Sequence, residues 1–539
     1  MASPQNTIGL ISHDFEESYD GFNLLYPHNQ STVFLIDSCG QIVHSWDGDS
    51  EERPGLTAYI LENGDLLKTQ RTSSIEAPIW AGGAGEAVEQ RTWDNQLLWL
   101  FELNDSTARL HHDIAPLPDG NVLMIAWESK TEDEAITAGR NPALLSQGKL
   151  WPDYILEYDP TLDTVIWEWH AWDHLIQDFD ESKENYGPIS QHPELIDINW
   201  DNHNGHPDWM HTNAIDFNVF LNQIAISVPY FNEIWVIDHS TTMEEAAGHT
   251  GGNSNKGGDL LYRWGNPATY KAGDSADQFF FFQHDINWIY PNASFDHPDF
   301  NKMAVFNNRV GPLTSTSNIF TPDFDTINFQ YLMNIDQTFG PDDFERTIIH
   351  PENNINAFSN ALSSVQILPN GNALICSGRW GYSFEITPEE KIVWEYITPI
   401  TEGARATQGD ILSINQNVTF RLKRYDPSYS AFIGRDLTPQ GFIELNPNED
   451  FCNQLVLIEE NYLNRDIKIY PNPGTDFLIV DFPHQPVSLN LEIYNIQGQL
   501  VSSNTNIVSG ERVNISFLPR GIYFISYGSG QRHYRFVKE

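Results

Sequence analysis

The sequence predicts an all-β chain: a β-propeller carrying loop and helical insertions, followed by a small C-terminal β-sandwich. Two recurring patterns point to the propeller. A strand, an Asn/Asp-Gly turn and an apolar strand recur as LENGDLL, LPDGNVL and LPNGNAL, from Leu61, Leu117 and Leu368. Aromatic-acid runs close such units as LLWLFE, VIWEWH and IVWEY, from Leu97, Val165 and Ile392. Antiparallel hairpins repeating at roughly 40–60 residues, each closed by a Trp, are what propeller blades produce. A long sandwich or a solenoid is the rival reading of the same hairpins. A third observation is the change after Ile458, where short alternating strands begin a separate all-β unit.

In chain order, Val33–Trp46 reads as a hairpin turning at Cys39-Gly40, and Ala58–Gln70 as one turning at Asn63-Gly64. Ala87–Leu103 turns at Asp94-Asn95, and the pattern returns over Ile114–Trp127 and Ile155–His170. Between strands, Glu128–Gly148 and Trp172–Gly187 have helical spacing, and Thr314–Asn354 reads as a long polar-aromatic connection. Long loops on a rigid scaffold shape binding mouths. These readings divide the chain into residues 1–460 and 461–539.

Composition narrows the function. The 74 acidic against 29 basic residues leave a net charge of −45, a field that repels nucleic acid and anionic lipid. No apolar run approaches the roughly 18 residues of a membrane span. Cys39, Cys376 and Cys452 are far apart and show no zinc-type spacing, so no structural zinc site is expected; no other metal and no cofactor is expected either. A Cys39–Cys452 disulfide is conceivable, but an odd count decides nothing. Asp47-Gly48-Asp49 reads as a turn, because calcium-loop spacing is missing.

The candidate chemistry lies in histidines placed where inner strands should begin. His111 and His112 come from HHDI, His211 and Asn213 from HTNAI, and His284 and Asn287 from QHDINWI. NNRVG adds Asn307, Asn308 and Arg309, and SSVQ adds Ser363 and Ser364. A single buried histidine is more often a turn cap or a partner of a nearby Asp. Three in parallel contexts favour a shared site. Asp113 and Asp285 directly follow two of these histidines, and neighbouring residues on a strand face opposite ways, so they read as loop supports.

The region from about Ile8 to Asp450 resembles the arylsulfotransferase family, through RLHHDIAPLPDGNVLMI, DWMHTNAIDFN, IWVIDHSTTMEEAAGHTGG, GGDLLYRWGNPATY, QHDINWI, FNNRVG and SVQILPNGNALICSGRWGYSFEITPEEKIVWEY. The resemblance implies a six-bladed propeller that moves a sulfuryl group from a phenolic sulfate ester to a phenol, without the nucleotide-type donor. It places His112, His211 and His284 on the family's active-site histidines, His284 on the one that becomes sulfurylated, and Asn213 on an active-site Asn. The family arginine some eighteen residues beyond the middle histidine is replaced by Pro229. Either Arg309 or Arg263 is expected to replace that charge, or the donor range differs. Tyr230, Trp264 and Ser363 are weaker substrate-binding candidates.

The tail resembles the sorting domain of the type IX secretion system, through IYPNPGTDFL, IYNIQGQLV and LPRGIYFI. That resemblance implies the type IX machinery as partner and a secreted or cell-surface location. No signal peptide is visible in MASPQNTIGLISHDFEESYDG, so a mature, truncated or mis-started form is expected. Two rivals remain at this level: a secreted propeller that only binds carbohydrate or an envelope partner, and a metal-dependent hydrolase or lyase using the histidines.

Overall fold

A computed structural model of the chain describes residues 6–48, 53–71, 78–352, 357–455, 468–481, 489–496, 499–508, 510–527 and 532–539. The chain divides into two compact units, Met1–Glu449 and Asp450–Glu539. The expected boundary at 460/461 lies outside the described residues, as does Asp49 of the expected Asp47–Asp49 turn.

The first unit contains six antiparallel sheets of four or five strands among its described residues. Each expected hairpin is present, such as Val33–Ile36 with Ile42–Trp46 and Asp153–Asp159 with Thr164–His170. The six innermost strands are Arg53–Ile60, Ala108–Pro116, Ala214–Asn218, His284–Trp288, Ser364–Ile367 and Thr419–Tyr425. Each is adjacent to the next, and the last returns to the first, so they close into the ring of a propeller. Thr419–Tyr425 pairs with Phe22–Pro27, placing a late strand innermost in a sheet otherwise built from the N-terminal region. At the other edge of the molecule's ring, Gly9–His13 is the outer strand of the sheet holding Ser364–Ile367. Both ends of the propeller sequence are therefore stitched into shared sheets.

Middle strands are buried on both faces, as in Gln223–Val228 and Glu233–Asp238, because neighbouring sheets cover them. The aromatic runs explain this packing. Trp46, Trp127, Trp235 and Trp394 are fully buried, and each such ring removes roughly 150–250 Å² from water.

Two insertions differ from expectation. Within Glu128–Gly148 only Glu132–Thr137 is α-helical, started by a capping box between Thr131 and Glu134. Trp172–Gly187 is mostly turn rather than helix. After the 3-10 turn Ala171–His174, the Gln177 side chain bonds Asp180 O, Glu184 O and the amides of Phe179 and Asp180, which organises a loop instead. The Thr314–Asn354 connection also changes: Thr314–Phe320 and Arg346–Ile348 are strands of one sheet.

The second unit has a three-stranded and a four-stranded antiparallel sheet around a core that includes Ile469, Leu478, Ile493, Ile525 and Phe536. Cys376, in the first unit, is a free, buried thiol.

Candidate active site

The inner strands deliver two layers of polar residues, and the deeper one explains Asp113 and Asp285. Arg421, on the closing strand, forms ion pairs with Asp113 at 2.8 Å and Asp285 at 2.6 Å. Tyr59 donates to Asp113 at 3.1 Å. The amides of Ile215 and Val365 donate to Asp113 and Asp285 at 3.3 and 2.8 Å. One guanidinium thus ties all six inner strands together, and the two Asp residues are supports, as the strand alternation predicts. A cavity of about 790 Å³ opens at the C-terminal ends of these strands, lined by Tyr59, Asp216, Gln366 and Lys423 among others. The histidines occupy the opposite, N-terminal ends, where the titratable groups with a nucleophile's and an acid's properties are found.

Backbone irregularity aims them. His112 and His211 have φ of 54° and 60°, and Asp285 beside His284 has 60°. Register shifts mark bulges in the pairs formed by Ala108–Pro116 and His284–Trp288. A bulge re-aims side chains next to a site, and each left-handed non-glycine residue costs on the order of 1 kcal/mol. Gly83 is required beside them: a Cβ there would stand 2.0 Å from His112 Nε2.

The three histidines come together around Phe282. Ring centroids lie 4.6 Å apart for His112–His211, 5.9 Å for His211–Phe282 and 5.7 Å for Phe282–His284. Asn308 fixes the state of His284. Its amide donates to Ser359 O at 2.8 Å and Leu362 O at 2.9 Å, so its oxygen faces His284 Nδ1 at 2.8 Å. Nδ1 therefore carries the proton. Nε2 keeps its lone pair, which accepts from the Leu362 amide at 3.1 Å. Burial pushes the His284 pKa down to about 3, so the ring is neutral.

His211 is the reverse case. Burial opposes its charged form, but Asp208, 2.6 Å from Nδ1, outweighs that and raises the pKa. Asp208 is itself held by Trp127 Nε1 at 3.1 Å. His112 is driven well below its ordinary value by burial and by the neighbouring histidines. Its Nδ1 lies 2.9 Å from His111 Nδ1, and His111 stacks on Trp127 at 3.9 Å.

Arg309 lies on the rim with its guanidinium 3.6 Å from the Phe282 ring centroid, and its Nε donates to Asn360 O at 2.8 Å. Arg379 donates to the Asn360 side chain at 2.9 Å, putting a second guanidinium on the same residue. Neither has a carboxylate partner among the described residues. Tyr230 borders His211 at 5.1 Å and Phe282 at 5.5 Å.

Other expected residues take different roles. Arg263 does not reach the site: it is buried on the outer strand of its sheet in a 2.6 Å ion pair with Glu233. Glu233 and the carbonyl of Leu195 satisfy it there, so it cannot replace the charge missing at Pro229. Trp264 packs among Phe279, Phe280, Phe320 and Phe344. Ser363 is buried, and its hydroxyl accepts from the Gly378 amide at 2.9 Å, which shapes the turn bearing Leu362. Asn213 spends its amide donor on Gln283 O at 2.8 Å and leaves Oδ1 buried without a partner. The sequence by itself does not single out Asp208, Phe282, Arg379 or Arg421. Asp208 was signalled only by its place three residues before His211.

The arylsulfotransferase profile matches residues 10–418. The chain belongs to the arylsulfotransferase family. That membership makes this member a sulfotransferase acting on aryl substrates. A secretion-system C-terminal sorting domain matches residues 468–538, marking the protein for secretion or the cell surface by the type IX pathway. No helix among the described residues is long and apolar enough to cross a membrane. Among curated proteins none matches. Solved structures with some likeness include a protein from Bacteroides caccae, at 12% identity and TM-score 0.39, covering 76% of this chain and 99% of that one. A streptogramin B lyase shares 10% identity at TM-score 0.34, covering 78% and 95%. A protein from Lactobacillus plantarum shares 8% at TM-score 0.34, covering 91% and 98%. At such scores these likenesses carry no argument, and the propeller rests on the strand topology.

Proposed function

We propose that this arylsulfotransferase works by two displacements through a sulfohistidine at His284, carrying a sulfuryl group from a phenolic sulfate ester to a phenolic acceptor. The observation behind this reading is the opposed proton affinity of two histidines around one ring: neutral His284 with an unprotonated Nε2, and His211 with a raised pKa. Groups whose environments push their pKa values apart divide nucleophile from acid.

In the first step, His284 Nε2 attacks sulfur and the S–O bond to the aryl group breaks. The electron pair leaves on the phenolate oxygen, which takes the proton of His211 Nε2. In the second, the acceptor hydroxyl oxygen attacks the same sulfur and the N–S bond breaks. The pair returns to His284, and the acceptor's proton passes to His211. Sulfuryl transfer resembles phosphoryl transfer, with a loose transition state and charge spread over three equatorial oxygens. Donors aimed at those oxygens then supply the stabilisation. Arg309 is the cation nearest this role, and the Leu362 amide, once displaced from the Nε2 lone pair, is placed to donate to one oxygen. His112 stays neutral and packs the far side of His211. Asn213 acts through Gln283, holding the strand that begins at His284. Tyr230 and Phe282 offer faces to the aryl ring.

The test is incubation with 4-nitrophenyl sulfate and a phenol, following nitrophenolate release. Acceptor-dependent release lost in His284→Ala, with a transient sulfuryl addition on the His284 peptide in mass spectrometry, supports the reading. Release that persists in that variant removes His284 as nucleophile. No release from any aryl sulfate favours a propeller that only binds.

A further inference from the structure

Away from the catalytic histidines, His174, His249 and Asp259 converge, with their ligand-capable atoms all within 4.8 Å of one another. We infer that they form a zinc site. No sequence spacing announces it, because 85 residues separate His174 from Asp259 and the chain folds them together.

His174 is oriented from its outer side. Its Nε2 lies 2.9 Å from the carbonyl oxygen of Ala246 and donates to it. The other nitrogen, Nδ1, faces Asp259 Oδ1, 2.9 Å away. A cation between these two atoms, either a proton or a metal ion, joins them. His249 Nδ1 stands 2.7 Å from the same oxygen, so two imidazoles converge on one carboxylate. A ligating histidine that donates its other N–H to a backbone carbonyl is the usual outer-shell arrangement of zinc sites.

The surroundings are built to hold His174 still. It is fully buried, and Trp169 stacks parallel to it at 5.7 Å while donating to Gly258 O at 2.7 Å. A Cβ on Gly258 would stand 2.5 Å from His174 Nε2. Asp259 is nearly buried, whereas the His249 side chain is 59% exposed, which leaves a fourth position open to water. Two nitrogens, one carboxylate and one water suit tetrahedral Zn²⁺, whose bonds of roughly 2.0–2.2 Å require donors about 3.3 Å apart. The 2.7 Å between exposed His249 and Asp259 opens freely, while the 2.9 Å between buried His174 and Asp259 requires the Asp259 carboxylate to shift by about 0.4 Å. The ion would fasten the loop after the short helix Met243–Ala246 to the turn Ala171–His174.

The experiment measures zinc by mass spectrometry after equilibration with zinc and exhaustive dialysis, in the full chain and in His249→Gln. His249 is exposed and outside the catalytic machinery, so this variant folds and keeps its transferase activity; Asp259→Asn is the second variant. One zinc retained per wild-type chain and none in either variant supports the site. Zinc then raises the wild-type Tm and leaves that of His249→Gln unchanged, and Co²⁺ gives the visible bands of a four-coordinate complex. Equal zinc in wild type and His249→Gln would report scattered binding to the acidic surface and overturn the inference. So would a wild-type chain that holds none, leaving an imidazolium–carboxylate hydrogen-bond cluster.

Discussion

Oδ2 of Asp208 lies 2.6 Å from Nδ1 of His211, and this contact sets His211 apart from the two neutral histidines beside it. Replacing Asp208 by Asn keeps the hydrogen-bonding shape and removes the charge. Burial and the Arg309 charge, opposed then by Asp153, lower the His211 pKa relative to wild type. The donor half-reaction at neutral pH is expected to fall by about 10²-fold, the typical contribution of a general acid. Esters of the most acidic phenols, which need least protonation, lose least. Equal loss for all donors would assign Asp208 a purely structural role.

The pH profile of kcat/KM for the donor follows from the same pair. In the proposed mechanism, the free enzyme needs His211 protonated and His284 neutral. Because the His211 pKa is raised, activity holds at 6.5 and falls as pH climbs through the raised value. Because the His284 pKa is pushed down to about 3, its protonation does not limit activity until far below pH 6.5. Initial rates with a poor-leaving aryl sulfate measure both limbs. An acid limb centred near 6.5 would contradict the neutral His284.

In the proposed mechanism, Asn308 selects which His284 nitrogen attacks. Asn308→Leu removes one of the two acceptors facing Nδ1 and leaves the Phe282 carbonyl at 3.2 Å; it is expected to lower kcat by on the order of 10²-fold, less than the roughly 10⁴-fold that full loss of a tautomer costs a serine-protease triad. Asn308→Asp, whose oxygen still accepts, should recover part of that loss. Stopped-flow release of the first phenol separates this effect from acceptor binding.

Arg309 and Arg379 share Asn360 on the rim. Arg309→Ala is expected to lower kcat/KM for every aryl sulfate, as the role proposed for its guanidinium at the transferred group requires. Arg379→Ala should raise KM with little change in kcat, as for a group that binds ground and transition states alike. Steady-state kinetics on both variants decide between these patterns.

Arg421 is the structural centre. Arg421→Leu leaves Asp113 and Asp285 buried without their cation, and removing one partner of a buried ion pair costs about 3–5 kcal/mol. Chemical denaturation should show that loss. A Cm unchanged from wild type would mean that the ring of inner strands does not depend on the ion pairs.

The sequence by itself determined the all-β class, the hairpins, the tail unit and the three histidines. Those features are local: Asn63-Gly64 turns a chain wherever it occurs, and alternation in VFLI or IVWEY acts over a few residues. The structure alone decided which side chains share a site and in what state. Arg263 and Arg309 look alike as letters, yet Glu233 neutralises one in the interior while Asn360 and Phe282 hold the other on the rim. Helical spacing over Trp172–Gly187 lost to the Gln177 side-chain bonds. Asp208 raises the pKa of His211, while burial keeps His284 neutral. Burial and electrostatics depend on residues brought together over scores of positions in sequence, and only the closed ring of strands brings them there.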